Sequence, residues 1–354
     1  MSTPLPATPY LRVDVARLQS NLERAARWAA GAGVSLRPHA KTHKCAEVAR
    51  LQREAGAAGL TVATIGEAET FVDHGAEDVF IAYPLWLTDD AARRLRDLGE
   101  RADLAIGVDS AEAAVRAARL LEGTGVVAMV EVDSGQHRTG VAPEDAGSLA
   151  AAAVEAGLPV RGVFTFPGHS YSPDALASAA ADEARALRTA TESLRAAGLE
   201  PDVLSGGSTP SLAHTHTGDL TEVRPGVYVF GDAQQWELGT AAPDDLALTC
   251  RATVVSHAGG RLVLDAGSKA LGADRAPYAT GWGRLLDHPD ARVVQISEHH
   301  AVVDLAGASL PPLGARVDVV PNHVCAAVNL ADTLWADAGG ALEPWPLAAR
   351  GRNS

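Results

Sequence analysis

The chain has little cysteine, no long apolar run and no excess of positive charge, and each shortage excludes a class of protein. Three widely spaced cysteines, Cys45, Cys250 and Cys325, cannot form a disulfide framework, so a reducing cytoplasm is the expected compartment. No apolar run approaches the roughly 18 residues of a membrane span. The segment from Met1 to Pro9 also lacks a basic-then-apolar leader pattern. A net charge of −14 leaves no basic face to neutralise phosphates, which argues against nucleic acid as a partner. What remains is an ordinary globular balance, 47% hydrophobic and 21% charged residues over 354 positions. That length holds one large domain and a smaller one.

Asp14 can cap a helix that carries Val15, Leu18, Leu22, Ala25 and Ala29 on one face and is ended by Gly31 and Gly33. A short strand over 34–37 follows and delivers Lys41 to its C-terminal end. The next helix has Cys45, Val48 and Leu51 at spacings of three, which makes Cys45 a small core residue rather than a nucleophile. From there strand and helix patterns alternate. Strands are predicted over 60–65, 79–83, 104–108, 126–132, 160–166, 202–205 and 227–230, with alanine-rich helices between most of them. Eight such units within about 220 residues predict an α/β protein built on a (β/α)8 TIM-like barrel, over residues 10–235. Short β-branched runs at 248–256, 261–264, 292–297, 302–305 and 316–320 then succeed one another without a long helix. They predict a mostly β C-terminal domain over 236–345, which residues 1–13 could join, and the stretch from Gly340 reads as a Pro/Gly-rich tail.

In a barrel of this kind the active site lies at the C-terminal ends of the strands. Polar and glycine residues collect there: Lys41, Tyr83, the run from Asp133 to Arg138, His169 and Tyr171, and the run from Gly206 to Pro210. The segment Arg37-Pro38-His39-Ala40-Lys41-Thr42-His43-Lys44 reads in two ways. It is either a solvated basic loop or the setting of a lysine whose pKa is lowered by crowding cations, an amine suited to a Schiff base. Gly206-Gly207-Ser208-Thr209 is either a plain turn or a cradle of backbone and hydroxyl donors for an anion. A phosphate cradle and an activated lysine on one rim suggest pyridoxal phosphate. In the second domain, His323 and Cys325 lie two residues apart on what reads as an extended segment, where both can face one metal. Their softness suits Zn²⁺; the other reading is a buried cysteine beside a core histidine. Ser297-Glu298-His299-His300 is a candidate source of a third ligand or an exposed polar turn.

Five stretches in order make the chain resemble the D-serine dehydratase and D-threonine aldolase family: Arg37 to Lys44, Gly206 to Pro210, Arg224 to Tyr228, Leu264 to Lys269 and Pro321 to Leu330. The resemblance implies the alanine racemase-like, fold type III architecture with pyridoxal 5'-phosphate as cofactor. It implies that Lys41 carries the cofactor and removes the Cα proton, with His39, His43 and Lys44 tuning it. Arg138 resembles the arginine near the cofactor's phenolate oxygen, and Tyr171 the tyrosine facing the pyridine nitrogen. His39, His169, Gly206, Gly207, Ser208, Thr209, Gly226 and Tyr228 would belong to the phosphate and ring surroundings. His323 and Cys325 match the metal pair of the dehydratase branch, for Zn²⁺ or another divalent metal. The implied activity is dehydration of a D-3-hydroxy-amino acid, of the D-serine, D-threonine or D-threo-3-hydroxyaspartate type, to a 2-oxo acid and ammonia. The alternative is aldol cleavage to glycine and an aldehyde, although the aldolases tend to have a carboxylate where Cys325 stands. Racemisation is a third reading with no use for a metal. A non-catalytic cofactor carrier would lack the second domain. A small D-amino acid and a second copy in a homodimer are the expected partners. Glu298-His299-His300, where a Glu-Glu-His run is common, and Ala327, where a threonine is common, depart from the family pattern.

Overall fold

Strands and alanine-rich helices alternate through the first two thirds of the computed structural model, which describes residues 5–354. Two units result. One comprises residues 25–41, 49–226 and 352–354; the other holds the described residues up to Arg24, 42–48 and 227–351. The chain opens with β1 (Tyr10–Asp14) and α1 (Val15–Ala32). In the barrel unit, β2 (Ser35–Leu36), β3 (Leu60–Val62), β4 (Asp78–Pro84) and β5 (Asp103–Val108) are followed by β6 (Val127–Glu131), β7 (Val160–Phe164), β8 (Val203–Gly206) and β9 (Glu222–Val223). All pair in parallel, in the order β2-β9-β8-β7-β6-β5-β4-β3. The two edges meet where His39 bridges to Thr61, and the Thr61 N–H donates to the Pro38 carbonyl at 2.9 Å, so the barrel closes.

The crossovers hold α2 (Ala46–Glu54), α3 (Ile65–Asp73), α4 (Asp89–Arg101), α5 (Ala111–Leu120), α6 (Ala146–Glu155) and α7 (Leu176–Ala196). Thr64, Thr88 and Ser110 accept the backbone N–H three residues on, which starts α3, α4 and α5 close behind their strands. Cys45 is buried, as the spacing predicts, and burial pushes its thiol up to about 11, so it is an inert core residue. Inside the barrel, Phe80 and Phe164 meet edge to face at 4.9 Å among Ala105 and Met129. The buried Arg224 guanidinium lies over both rings, and donates to Ser205 Oγ and, at 2.6 Å, to the Thr165 carbonyl. Arg37 pairs with Asp78 and Glu222, each at 2.5 Å. These charges are tolerated in the interior because each has a partner.

The eighth barrel strand is β9, Glu222–Val223, and not 227–230. Pro225 supplies no N–H to a ladder, and the chain instead makes one 3₁₀ turn at Val227–Val229. There the Phe230 and Gly231 N–H groups donate to the Val227 carbonyl at 3.1 and 2.8 Å. Val227 and Val229 have strand propensity, but burial rather than pairing uses their side chains.

The other unit adds β10 (Leu248–Ser256), β11 (Leu262–Leu264), β12 (Gly283–Leu285), β13 (His288–Ile296) and β14 (Ala301–Asp304). β15 (Arg316–Pro321), β16 (Thr333–Asp337) and β17 (Leu342–Pro346) complete it. With β1 they form a nine-stranded sheet in the order β11-β14-β13-β12-β15-β10-β1-β16-β17, and a further β10–β11 pairing closes six strands into a ring. β1 is internal, antiparallel to β10 and parallel to β16. The stretch from Gly340 is not a mere tail, because β17 pairs along its length with β16. Short helices α8 (Ala233–Glu237), α9 (Ser268–Leu271) and α10 (Val324–Leu330) interrupt the strands. Among the described residues no helix is long and apolar enough to cross a membrane.

Candidate active site

At the barrel rim the organising side chain is Phe166, two residues beyond β7. Lys41 Nζ lies 5.8 Å and Arg138 Cζ 5.5 Å from its ring centroid, and the Tyr171 ring packs at 6.5 Å. Three residues named from the sequence therefore gather on one aromatic that the sequence reading did not single out. Its signal was its place as the last residue of the predicted strand 160–166. Lys41 sits on a 3₁₀ turn, Ala40–Thr42, with its N–H 3.5 Å from His39 Nδ1. His43 belongs to the other unit, where its Nδ1 accepts the Cys45 N–H at 3.1 Å. Tyr83, at the end of β4, is exposed.

Arg138 is delivered by a loop that Asp133 ties. Asp133 Oδ1 accepts the Gly135 and His137 N–H groups at 2.8 and 3.0 Å, and Oδ2 is 2.7 Å from His137 Nδ1. Burial alone would raise this carboxyl, but those donors hold it below its ordinary value. Left-handed Gly135 (φ 122°) turns the loop toward His169, whose Cε1 would be only 3.1 Å from a Cβ at that position. His169 Nε2 is 3.2 Å from Asp182 Oδ2, and its buried Nδ1 has no hydrogen-bond partner among the described residues.

After β8 comes the glycine loop. Gly207 is left-handed (φ 79°), and a Cβ there would lie 3.1 Å from Val223. Ser208 Oγ is 2.9 Å from Ser170 Oγ and 2.8 Å from Ser211 Oγ, a chain of hydroxyls under the loop. The Gly207 N–H donates to Glu183 Oε1 at 2.6 Å. Glu183, on α7, is wholly buried; burial pushes it up to about 7 against the opposing pull of the Gly207 N–H and Arg224. Thr209 is half-buried in the same loop. Gly226 follows Pro225, whose carbonyl accepts the His39 N–H at 3.0 Å. Tyr228 is half-buried on the 3₁₀ turn of the other unit. A close-packed glycine loop with hydroxyls, on a rim that also holds a lysine and an arginine, fits an anionic aldehyde such as pyridoxal phosphate.

In the β unit the pair His323 and Cys325 does not lie on an extended segment. His323 is the last extended residue (φ −125°, ψ 108°) before α10, and Cys325 is in its first turn. The two side chains still hydrogen-bond to one another. The helix starts there because Asp232, fully buried, accepts the Val324 N–H on Oδ2 at 3.1 Å and the Gln235 N–H on Oδ1 at 2.8 Å. One carboxylate thus caps α8 and holds the start of α10, with Oδ2 4.0 Å from His323 Nδ1. Burial lowers the His323 imidazolium, but Cys325, Asp232 and Asp274 outweigh it and raise it to about 9. Cys325 Sγ is 3.4 Å from Thr42 Oγ1. Asp232 escaped the sequence reading, although an aspartate opening a helical run is an N-cap signal.

The 297–300 run supplies no third ligand. Glu298 pairs with Lys269 at 2.7 Å, and His299 lines a separate cavity of about 250 Å³ with Tyr10 and Lys269. Among the described residues no three His, Cys, Asp or Glu side chains gather as a metal set. An imidazole and a thiol side by side fit a soft divalent ion, for which they would supply two ligands.

Residues 13–234 match the family model of the alanine racemase N-terminal domain, and residues 247–336 that of the serine dehydratase domain. D-threo-3-hydroxyaspartate dehydratase from Delftia sp. (strain HT23) is 35% identical over 347 residues, 90% of this chain and 91% of that protein. D-threonine aldolase from Arthrobacter sp. is 34% identical over 360 residues, 97% and 93% of the two chains. The solved Delftia dehydratase superposes with a TM-score of 0.89 at 33% identity, over 96% of this chain and 97% of that one. A cysteine-to-alanine mutant of that dehydratase in the metal-free form superposes with the same TM-score of 0.89.

Proposed function

Because the chain belongs to the D-serine dehydratase and D-threonine aldolase family of pyridoxal phosphate-dependent lyases, we propose that it dehydrates a D-3-hydroxy-amino acid to a 2-oxo acid and ammonia. The substrate class is that of D-threo-3-hydroxyaspartate, D-serine and D-threonine. The observation that carries the choice is Cys325 beside His323, a thiol and an imidazole for a soft metal in place of the carboxylate associated with aldolases. The metal-free form recorded for the Cys-to-Ala dehydratase supports the same pair.

In this reading Lys41 would hold the cofactor's aldehyde, and its Nζ would receive the substrate's Cα proton. Gly207, Ser208 and Thr209 would hold the phosphate, Arg138 would serve the phenolate oxygen, and His169 and Tyr171 would serve the ring. Gly206, Gly226, His39 and Tyr228 complete the surroundings, and His323 and Cys325 hold Zn²⁺ or another divalent ion. When bound, the cofactor supplies an electron sink for the Cα–H bond and the metal supplies Lewis acidity at the 3-hydroxyl. The substrate loses its Cα proton and its hydroxyl as water, and hydrolysis of the remaining enamine releases ammonia. A cytoplasmic homodimer belongs to the same proposal.

Aldol cleavage is the second reading, favoured by 34% identity to the aldolase along 97% of the chain. It requires a base for the 3-hydroxyl proton. Incubation with D-threonine separates the two: 2-oxobutyrate and ammonia are expected, and glycine with acetaldehyde as main products would overturn dehydration.

A further inference from the structure

Glu183 has no part in the chemistry described above. On α7 it shares a buried face with Ala179, Ala180, Ala184 and Leu187, where an acid gains nothing from packing. Its Oε1 accepts the Gly207 N–H at 2.6 Å, while Oε2 is buried without a hydrogen-bond partner among the described residues. A Cβ on Gly206 would clash with Oε1, so the first glycine of the loop makes room for this carboxyl. The charge that acts on it is Arg224, which is itself committed to Ser205, Thr165 and two aromatic rings. The other charged groups nearby are engaged with each other: His169 with Asp182, and Arg188 with Asp219. His214 stands on the neighbouring 3₁₀ turn, Leu212–His214.

We propose that Glu183 is a positioning residue of the glycine loop whose protonation is linked to phosphate binding. Neutral, it holds the Gly207 N–H and leaves the loop ready for a dianion; ionised, it sets a negative charge against the same backbone group. Binding of the cofactor's phosphate therefore draws up to one proton from solvent onto Glu183, the share set by the fraction ionised beforehand. This rests on Gly206–Thr209 being the phosphate cradle. Burial supports it, since Glu183 is moved up to about 7, where both of its forms are populated near neutrality. The sign follows from linkage: a group that must be protonated in the complex weakens binding as pH rises through its pKa.

The test uses the full-length chain stripped of cofactor, wild type and Glu183→Gln, titrated with pyridoxamine 5'-phosphate, which has no aldehyde to join Lys41. Glutamine keeps the acceptor for Gly207 and cannot ionise. At pH 6.5 the two proteins are expected to bind within about twofold of each other, and at pH 8.5 the variant binds roughly thirtyfold more tightly. A purely structural Glu183 would shift affinity alike at every pH, and parallel curves would overturn the linkage. Pyridoxamine without the phosphate is the control. If the wild type binds it as tightly as the phosphate ester, the cradle assignment fails and takes the inference with it. If the phosphate matters but the curves are parallel, only the inference fails. Should the variant not fold, calorimetry of the wild type at pH 7.5 in buffers of different ionisation enthalpy decides. Proton uptake beyond that seen with pyridoxamine supports the linkage, and none overturns it.

Discussion

Lys41 Nζ and Arg138 Cζ lie 5.8 and 5.5 Å from the Phe166 ring centroid, where the ring attracts cations that would otherwise repel each other, and in the proposed function both meet an anionic, flat ligand. Lys41→Ala is expected to abolish turnover and the visible absorbance of bound cofactor, read from a spectrum of the purified protein. His323→Ala and Cys325→Ala should each reduce bound metal from about one per chain to near zero by atomic absorption, since a two-ligand site does not survive the loss of either. Full metal occupancy in both would remove the pair from the site. Glu183 also makes stability depend on pH. Its folded value, about 7, lies above the ordinary 4.5, so the folded state binds the extra proton between those values. Its stabilising contribution is full below the unfolded value and is lost as pH rises to about 7. Relative to Glu183→Gln, the wild type should lose roughly 3 kcal/mol between pH 4.5 and 7.5, measured by urea unfolding. These residues were unequally legible. Lys41 stands out by its neighbours in sequence, whereas Glu183 and Phe166 acquire meaning only from what folds against them.

At the scale of elements, Asp232 joins two helices that are far apart in sequence, through Gln235 of α8 and Val324 at the start of α10. Asp232→Ala removes both bonds and should cost about 2–4 kcal/mol in chemical denaturation, with weaker retention of metal because His323 stands at the same helix start. Local pattern located most strands, because alternation and β-branched residues are visible in a short window. It failed at 227–230, where two valines and two aromatics read as a strand but Pro225 diverts the backbone into a turn. It failed again at His323 and Cys325, since an extended residue just before a helix and a residue in that helix's first turn can also meet. It passed over β1, β12, β16 and β17, which take their order from partners rather than from their own composition.

Over the whole chain, the barrel unit draws on three separated segments, the last being residues 352–354. The Ser354 carbonyl accepts the Gly66 N–H at 3.0 Å and an Arg94 N–H at 3.1 Å, and the Arg352 carbonyl accepts Thr64 Oγ1 at 2.6 Å. Deleting 352–354 should uncover the first turn of α3 and lower stability by about 1–2 kcal/mol, a fall of roughly 2–4 °C in Tm by calorimetry. An unchanged Tm would show that water replaces those acceptors without loss. By itself the sequence determined the fold class, through periodicities of two and near 3.6, and the kind of chemistry, through motifs such as the lysine run and the glycine loop. Tertiary structure alone decided that Tyr10–Asp14 lies between Leu248–Ser256 and Thr333–Asp337, that Phe166 collects Lys41 and Arg138, and that Glu183 meets Gly207. The reason is physical. Periodicity reports which face of an element is buried, but a partner tens or hundreds of residues away is chosen by the packing of the whole chain, which no local window contains.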